Sequence, residues 1–125
     1  MNVLIITPSR PEQRQMRKLF VGHPATSRIR FVYASKWAEA REKIARLPQA
    51  SRQLRLIMTA PYLPNEHADL VRESAWMDAL TNITTVMIAF TDCEEKIRGC
   101  RIFGELNDQS STQKARSFLR SMSWD

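Results

Sequence analysis

Few of these 125 side chains are of types that do chemistry, and their spacing argues against most of it. His23 and His67 lie far apart, each beside a predicted helix end, where a lone loop histidine is read as a solvent-facing residue rather than a base or ligand. Cys93 and Cys100 do not make a metal-site spacing, and two cysteines are too few for a disulfide framework, so reduced, half-buried thiols are expected. Ser9 falls in Ser9-Arg10-Pro11-Glu12, where an S-x-x-E pattern makes it a helix cap rather than a nucleophile. Glu66 and Asp69 sit in the first turn of a predicted helix, a position acids favour for electrostatic reasons alone. With three glycines, at 22, 99 and 104, no glycine-rich phosphate loop is available. The stretch Thr7-Pro8-Ser9-Arg10-Pro11 removes two N–H donors where a nucleotide-binding turn supplies them. Nothing here calls for a cofactor or a metal.

These residues are positioned by a regular alternation of strands and helices. Leu54-Arg55-Leu56-Ile57-Met58-Thr59-Ala60 is an apolar run of strand length, ended by the Pro61–Pro64 loop. Such a run suits a strand buried on both faces of a parallel sheet, whose ligands gather beyond the strand carboxyl ends, here around Ala60. Asn2–Ile6 and the Ile83–Phe90 stretch are similarly uninterrupted and predict central strands. Ile29–Ala34, opening with Arg28 and Arg30 between apolar residues, predicts an edge strand, and Cys100–Phe103 a short fifth one.

Helical spacing places Met16, Leu19 and Phe20 inward on a first helix that Gly22 and His23-Pro24 terminate. A second helix, capped by Ser35, has Trp37, Ala40, Ile44 and Leu47 on its stripe and the i,i+4 pairs Glu39–Lys43 and Glu42–Arg46 outside. Asn65 can cap a third with Leu70, Val71, Ser74, Met77 and Leu80 inward, and Asp92–Gly99 is a shortened fourth. Ser110-Ser111-Thr112-Gln113 opens the last, with Ala115, Phe118, Leu119 and Met122 inward. Trp37 and Trp76 read as helix–sheet packing, and Trp124 as an exposed tail residue or one docking a neighbour. Five strand–helix units predict a single α/β domain over residues 1–125, doubly wound, with a five-stranded parallel sheet in the order 2-1-3-4-5.

The net charge of +6 is unevenly spread. Residues 1–55 hold 12 Lys/Arg against three acids, whereas residues 56–125 hold 7 against 10. Such polarity suggests either an acidic partner for the first half, protein or nucleic acid, or a solubilising surface with no specific partner. No apolar run reaches the roughly 20 residues that span a bilayer, and no basic region precedes the first apolar stretch, so a cytoplasmic location is expected.

The order of parts resembles the receiver domain of bacterial response regulators. Val3-Leu4-Ile5-Ile6-Thr7-Pro8 through Met16-Arg17-Lys18-Leu19-Phe20 resembles that family's first strand, acidic pair and first helix. Ala60-Pro61-Tyr62-Leu63-Pro64 resembles the stretch from the phosphoacceptor aspartate to the proline four residues on. Val86–Phe90 resembles the fourth strand, with its terminal switch hydroxyl, and Ile102-Phe103-Gly104-Glu105-Leu106 the fifth, with its lysine. Each functional position departs from the family: Thr7 and Pro8 replace the acidic pair, Ala60 the acceptor, Phe90 the switch residue (with Thr91 the neighbouring hydroxyl) and Gly104 the lysine. The carboxylates that would hold Mg²⁺ are missing, as are the oxygen nucleophile and the cation that balances phosphoryl charge.

The resemblance therefore implies a pseudo-receiver, a phosphorylation-independent and non-enzymatic docking or regulatory module of bacterial signalling or transcription control. Receivers signal through the face of the fourth helix, fifth strand and fifth helix. Here that face includes Arg101, Ile102, Phe103, Lys114, Arg116, Phe118 and Arg120, offered to a protein partner or a second copy. The alternative is nucleic-acid binding by Arg10, Arg14, Arg17, Lys18, Arg28 and Arg30, which without interleaved exposed aromatics favours phosphate contact over base reading.

Overall fold

The computed structural model describes residues 1–48, 54–60, 86–91 and 100–124. Among them the chain runs β1 (Asn2–Ile6), α1 (Arg10–Lys18), a 3₁₀ turn (Thr26–Arg28), β2 (Arg30–Ala34), α2 (Trp37–Ala45), β3 (Leu54–Thr59), β4 (Val86–Phe90), β5 (Cys100–Phe103) and α3 (Gln109–Ser121). The five strands form one parallel sheet in the order β2-β1-β3-β4-β5, as the alternation predicts. The Pro61–Pro64 loop, the helix expected after Asn65, the short helix expected over Asp92–Gly99, and His67, Trp76 and Cys93 with them, lie outside the described residues. Among the described residues no helix is long and apolar enough to cross a membrane.

Because side chains alternate across a strand, the uninterrupted apolar runs feed two cores, one on each face of the sheet. On one face Val3, Ile5, Leu56, Met58, Ile88 and Phe90 meet Met16, Leu19 and Phe20 from α1 and Ala115 and Leu119 from α3. On the other, Leu4, Ile6, Leu54, Ile57 and Met87 meet Trp37, Ala40 and Ile44 from α2. The first and last helices thus share a face. The β1–β3 register shifts between Asn2 and Val3, so Leu54 and Leu56 face opposite cores with Arg55 as the extra residue. Arg55 Nε donates to the carbonyl of Ser123 at 2.8 Å, holding the tail against the sheet.

Local chemistry at the helix ends departs from the sequence expectations. At α1 only half of the capping box forms: Ser9 Oγ accepts from the N–H of Glu12 at 3.4 Å. The carboxylate of Glu12 does not return to Ser9; it accepts from Thr7 Oγ1 at 2.7 Å, and Thr7 Oγ1 in turn accepts the Ser9 N–H at 3.3 Å. Ser35 does not cap α2. The N-cap is Lys36, without a side-chain bond, because Ser35 donates both its N–H (3.1 Å) and its hydroxyl (2.6 Å) to Glu39. The pairs Glu39–Lys43 and Glu42–Arg46 form as their spacing requires. The cap of α3 is Asp108, which accepts from Ser111 N–H, so the helix starts before the serine pair.

The α1 helix also stops at Lys18, earlier than its apolar spacing suggests, and turns carry Leu19 and Phe20 into the core. Gly22, at φ 77°, takes the left-handed conformation that lets the chain reverse there. The reversal buries His23, contrary to the solvent position expected for it: its relative exposure is 7%. Nδ1 accepts the Ala25 N–H at 3.0 Å, which leaves Nε2–H to donate to the Leu119 carbonyl at 3.1 Å. Trp124, for which the sequence left exposure or docking on a neighbour open, is buried as well and donates its indole N–H to the same carbonyl at 2.9 Å. Its ring stands edge-on to Phe20 and His23. An apolar ring with one polar handle needs such a site, and the fold supplies it from residues distant in sequence.

Candidate functional site

The strand carboxyl ends bring together the positions singled out in the sequence. Ile6, Thr59, Ala89 and Ile102 share one level of the sheet, and the next level carries Thr7, Ala60, Phe90 and Phe103. Main-chain bonds extend the ladder there: Thr7 N–H to Ala34, Ala60 N–H to Ile6 and Thr91 N–H to Phe103. Thr7, Ala60 and Phe90 are all buried, and Gly104 and Thr91 stand one residue further out. Pro8 is exposed and fills nothing, because the chain leaves the sheet at Thr7 to enter the Ser9 cap. Phe90 does fill this edge; its ring stacks on Phe103 with centroids 6.0 Å apart.

Gly104 is glycine for a steric reason. A Cβ there would stand 2.1 Å from Ser111 Oγ, which is fixed by a 2.6 Å hydrogen bond to the Asp108 carboxylate. Those bonds, the serine hydroxyl's first and its N–H's second, hold Asp108 below the usual carboxylate range. The cap of α3 thus occupies the space a side chain at 104 would need.

Above this row lies a cavity of about 460 Å³, with Ala60, Phe90 and Leu106 contributing apolar wall. Its polar wall includes Glu12, Gln15, Thr91 and Glu105. Sequence reasoning assigned Glu12 to the cap and passed over Glu105. The signal for Glu105 was its place directly after the strand-ending Phe103-Gly104 pair.

A second hollow, about 610 Å³, runs between β5 and α3. Arg101 lies over the Phe118 ring at 4.7 Å and beside Phe103 at 5.7 Å, and the two rings are 5.8 Å apart. Lys114, Ser117 and Ser121 line the helix side. Not all the interface candidates converge here. Strand alternation turns Ile102 to the opposite side of the sheet from Arg101 and Phe103. At 100° per residue Arg116 and Arg120 project from the far flank of α3; both are exposed and neither lines the groove.

The basic residues of the first half are also divided. Arg10, Arg14 and Lys18 are exposed on α1, while Arg17 is half-buried with its guanidinium 3.9 Å from the Phe31 centroid. Arg28 and Arg30 are exposed at the start of β2, and alternation turns Arg30 away from the α1 face. Cys100 is a free, half-buried thiol whose burial pushes its pKa up to about 12, so it stays protonated and a poor nucleophile. Among the described residues no group of three or more His, Cys, Asp or Glu side chains is placed to hold a metal. No family model, curated protein or solved structure matches the chain.

Proposed function

We propose that the chain is a pseudo-receiver, a receiver-like sheet without the aspartyl-phosphate switch, acting without catalysis as a protein-docking module in bacterial cytoplasmic signalling or transcription control. The observation that carries this reading is the row of Thr7, Ala60 and Phe90 at the ends of β1, β3 and β4, with Gly104 beyond β5. A doubly wound sheet of this order concentrates its chemistry there, and these side chains offer neither an acceptor carboxylate nor a lysine. Docking is assigned to the groove of Arg101, Phe103, Lys114 and Phe118.

Its occupant is an acidic segment of a partner protein with apolar side chains between its carboxylates. Two cations and two aromatic rings line the groove, and no carboxylate does so among the described residues. A two-fold contact through the same groove would set cation against cation, which disfavours a second copy. The nucleic-acid alternative is weakened by the division of the basic residues between α1 and the far side of β2.

The test is a titration of the protein with a twelve-residue peptide of alternating Glu and Leu, its Lys counterpart, and duplex and single-stranded DNA. The acidic peptide should shift resonances of Arg101, Phe103 and Phe118, and Arg101→Glu should weaken it at least tenfold. Binding to nucleic acid through four to six phosphates would instead fall with a log–log salt slope of about −4 to −5. Sub-micromolar DNA binding at physiological salt, abolished by Arg14→Glu with Arg17→Glu, would overturn the docking reading. Saturable, Mg²⁺-dependent shifts at residues 7, 60 and 90 with acetyl phosphate would overturn the pseudo-receiver itself.

A further inference from the structure

The two edges of the sheet are treated differently. β2 and β5 are its outer strands, and each pairs with one neighbour among the described residues. At β2 the Arg30 N–H bonds the Met1 carbonyl and the Ala34 carbonyl accepts from Thr7, so alternation turns the main-chain groups of Tyr33 outward. Lys43 closes that edge, its Nζ donating to the Tyr33 carbonyl. A lysine laid across an outer strand guards it against pairing with another chain.

At β5 the Phe103 carbonyl accepts the Thr91 N–H at 3.2 Å. That turns the main-chain groups of Phe103 and Arg101 to β4 and those of Ile102 outward. No described residue bonds the N–H or carbonyl of Ile102 on that side. The docking groove opens on the same strand, and its α3 wall includes the short side chains of Ser117 and Ser121. A strand laid against β5 puts alternate side chains on its two sides. On one side they meet Arg101 and Lys114, which take carboxylates, and on the other they meet the half-buried, apolar Ile102. An acidic segment with apolar residues between its carboxylates has that alternation.

We propose that the acidic partner segment binds as an added β-strand, hydrogen-bonded to the outer edge of β5 through Ile102. This rests on the docking reading and supplies its binding mode: main-chain bonds hold the segment, and the two cations select it.

The probes are the alternating Glu–Leu peptide and two versions of it, one N-methylated at every Leu and the other at every Glu. A strand turns only alternate N–H groups to one neighbour, so one version should bind at least about tenfold more weakly and the other within about threefold of the parent peptide. Loss on Leu methylation means antiparallel addition, and loss on Glu methylation parallel addition. Saturation with the parent peptide should slow hydrogen exchange at the Ile102 amide. Ile102→Pro removes an N–H that the β4 ladder does not use and should weaken the parent peptide about tenfold, whereas Ile102→Val keeps it. If Ile102→Pro does not fold, the methylated peptides decide on the unaltered chain. Methylation without effect, or with equal loss in both versions, would overturn the added strand, as would an Ile102 amide that exchanges as fast in the complex. Docking would survive those outcomes, since the parent peptide still binds. No binding of the parent peptide would overturn the docking reading and this mode with it. Protection of the Ile102 amide in the free chain, growing with concentration, would overturn the proposal in favour of a second copy at this edge.

Discussion

The two faces of the sheet solve the same burial problem with different materials. The face under α1 and α3 is built on rings: Phe20 lies 5.1 Å from Phe31, 5.6 Å from His23 and 5.7 Å from Trp124, and Phe90, Phe103 and Phe118 continue toward β5. Both of its helices have a side-chain cap, Ser9 or Asp108, and the polar atoms of His23 and Trp124 converge on one carbonyl. Among the described residues the face under α2 is mainly aliphatic, α2 has no side-chain cap, and the one large ring there, Trp37, is buried with an indole N–H that has no partner. Tilted and edge-on rings with paired polar atoms specify one arrangement, whereas aliphatic packing tolerates exchange. Both candidate sites abut the ring-built face.

The most severe break in this contrast is Phe20→Ala. It should cost about 3–5 kcal/mol in urea unfolding and change the near-UV signal of Trp124. Ile44→Ala on the other face, expected to cost about 2–5 kcal/mol, should leave that signal as it is. Equal spectral change in both variants would dissolve the distinction between the faces.

Next is Gly104→Lys, which restores the family's lysine position and drives a Cβ into Ser111 Oγ. Overpacking of this kind costs about 1–3 kcal/mol, and Ser111→Ala in the same chain should recover most of it. No recovery would mean that the cap of α3 is not what excludes a side chain at 104.

The two tryptophans sharpen the comparison further. Trp124→Phe gives up a hydrogen bond and should cost about 1 kcal/mol more than Trp37→Phe, where the N–H removed has no such bond. Equal losses would place a partner on Trp37.

The smallest effect is a pH dependence shared by both faces. Serine hydroxyl bonds hold Glu39, at about 2 against an ordinary 4.5, and Asp108 below their usual values. With folded pKa values depressed, their contribution is present above the ordinary values and is lost as pH falls through the folded ones, for Glu39 between about 4.5 and 2. Glu39→Gln and Asp108→Asn should each flatten the acid limb of stability slightly, since both carboxylates are solvent-exposed. A steeper limb in either variant would contradict the hydrogen-bond origin of the shift.

The strands were legible because runs such as Val3–Ile6 and Leu56–Met58 carry no polar interruption, which leaves only a strand covered on both faces. The helices were legible from the period of Met16–Leu19–Phe20 and Ala115–Leu119. Caps were read less well, since Ser35 and Glu12 each had a competing carboxylate or hydroxyl that spacing alone does not rank. Ala60, Phe90 and Gly104 were placed at the sheet edge from strand ends, but the Gly104–Ser111–Asp108 interlock was not visible, because nothing in a sequence announces a 2.1 Å conflict. His23 was misjudged, and Trp124 left undecided between exposure and docking, for a related reason. Their burial depends on the Leu119 carbonyl, far from His23 and made acceptable only by the tail's return.

That return has a consequence for how the molecule is made. His23 and the carbonyl it needs are 96 residues apart. While a ribosome is still adding the last helix, Phe20 and the imidazole have been synthesised, but the Leu119 carbonyl and the Trp124 ring that complete their cover have not. The ring-built face is therefore an open, sticky surface during translation and is sealed only as Leu119 and Trp124 emerge, a late closure of the kind that leaves nascent chains dependent on protection from aggregation.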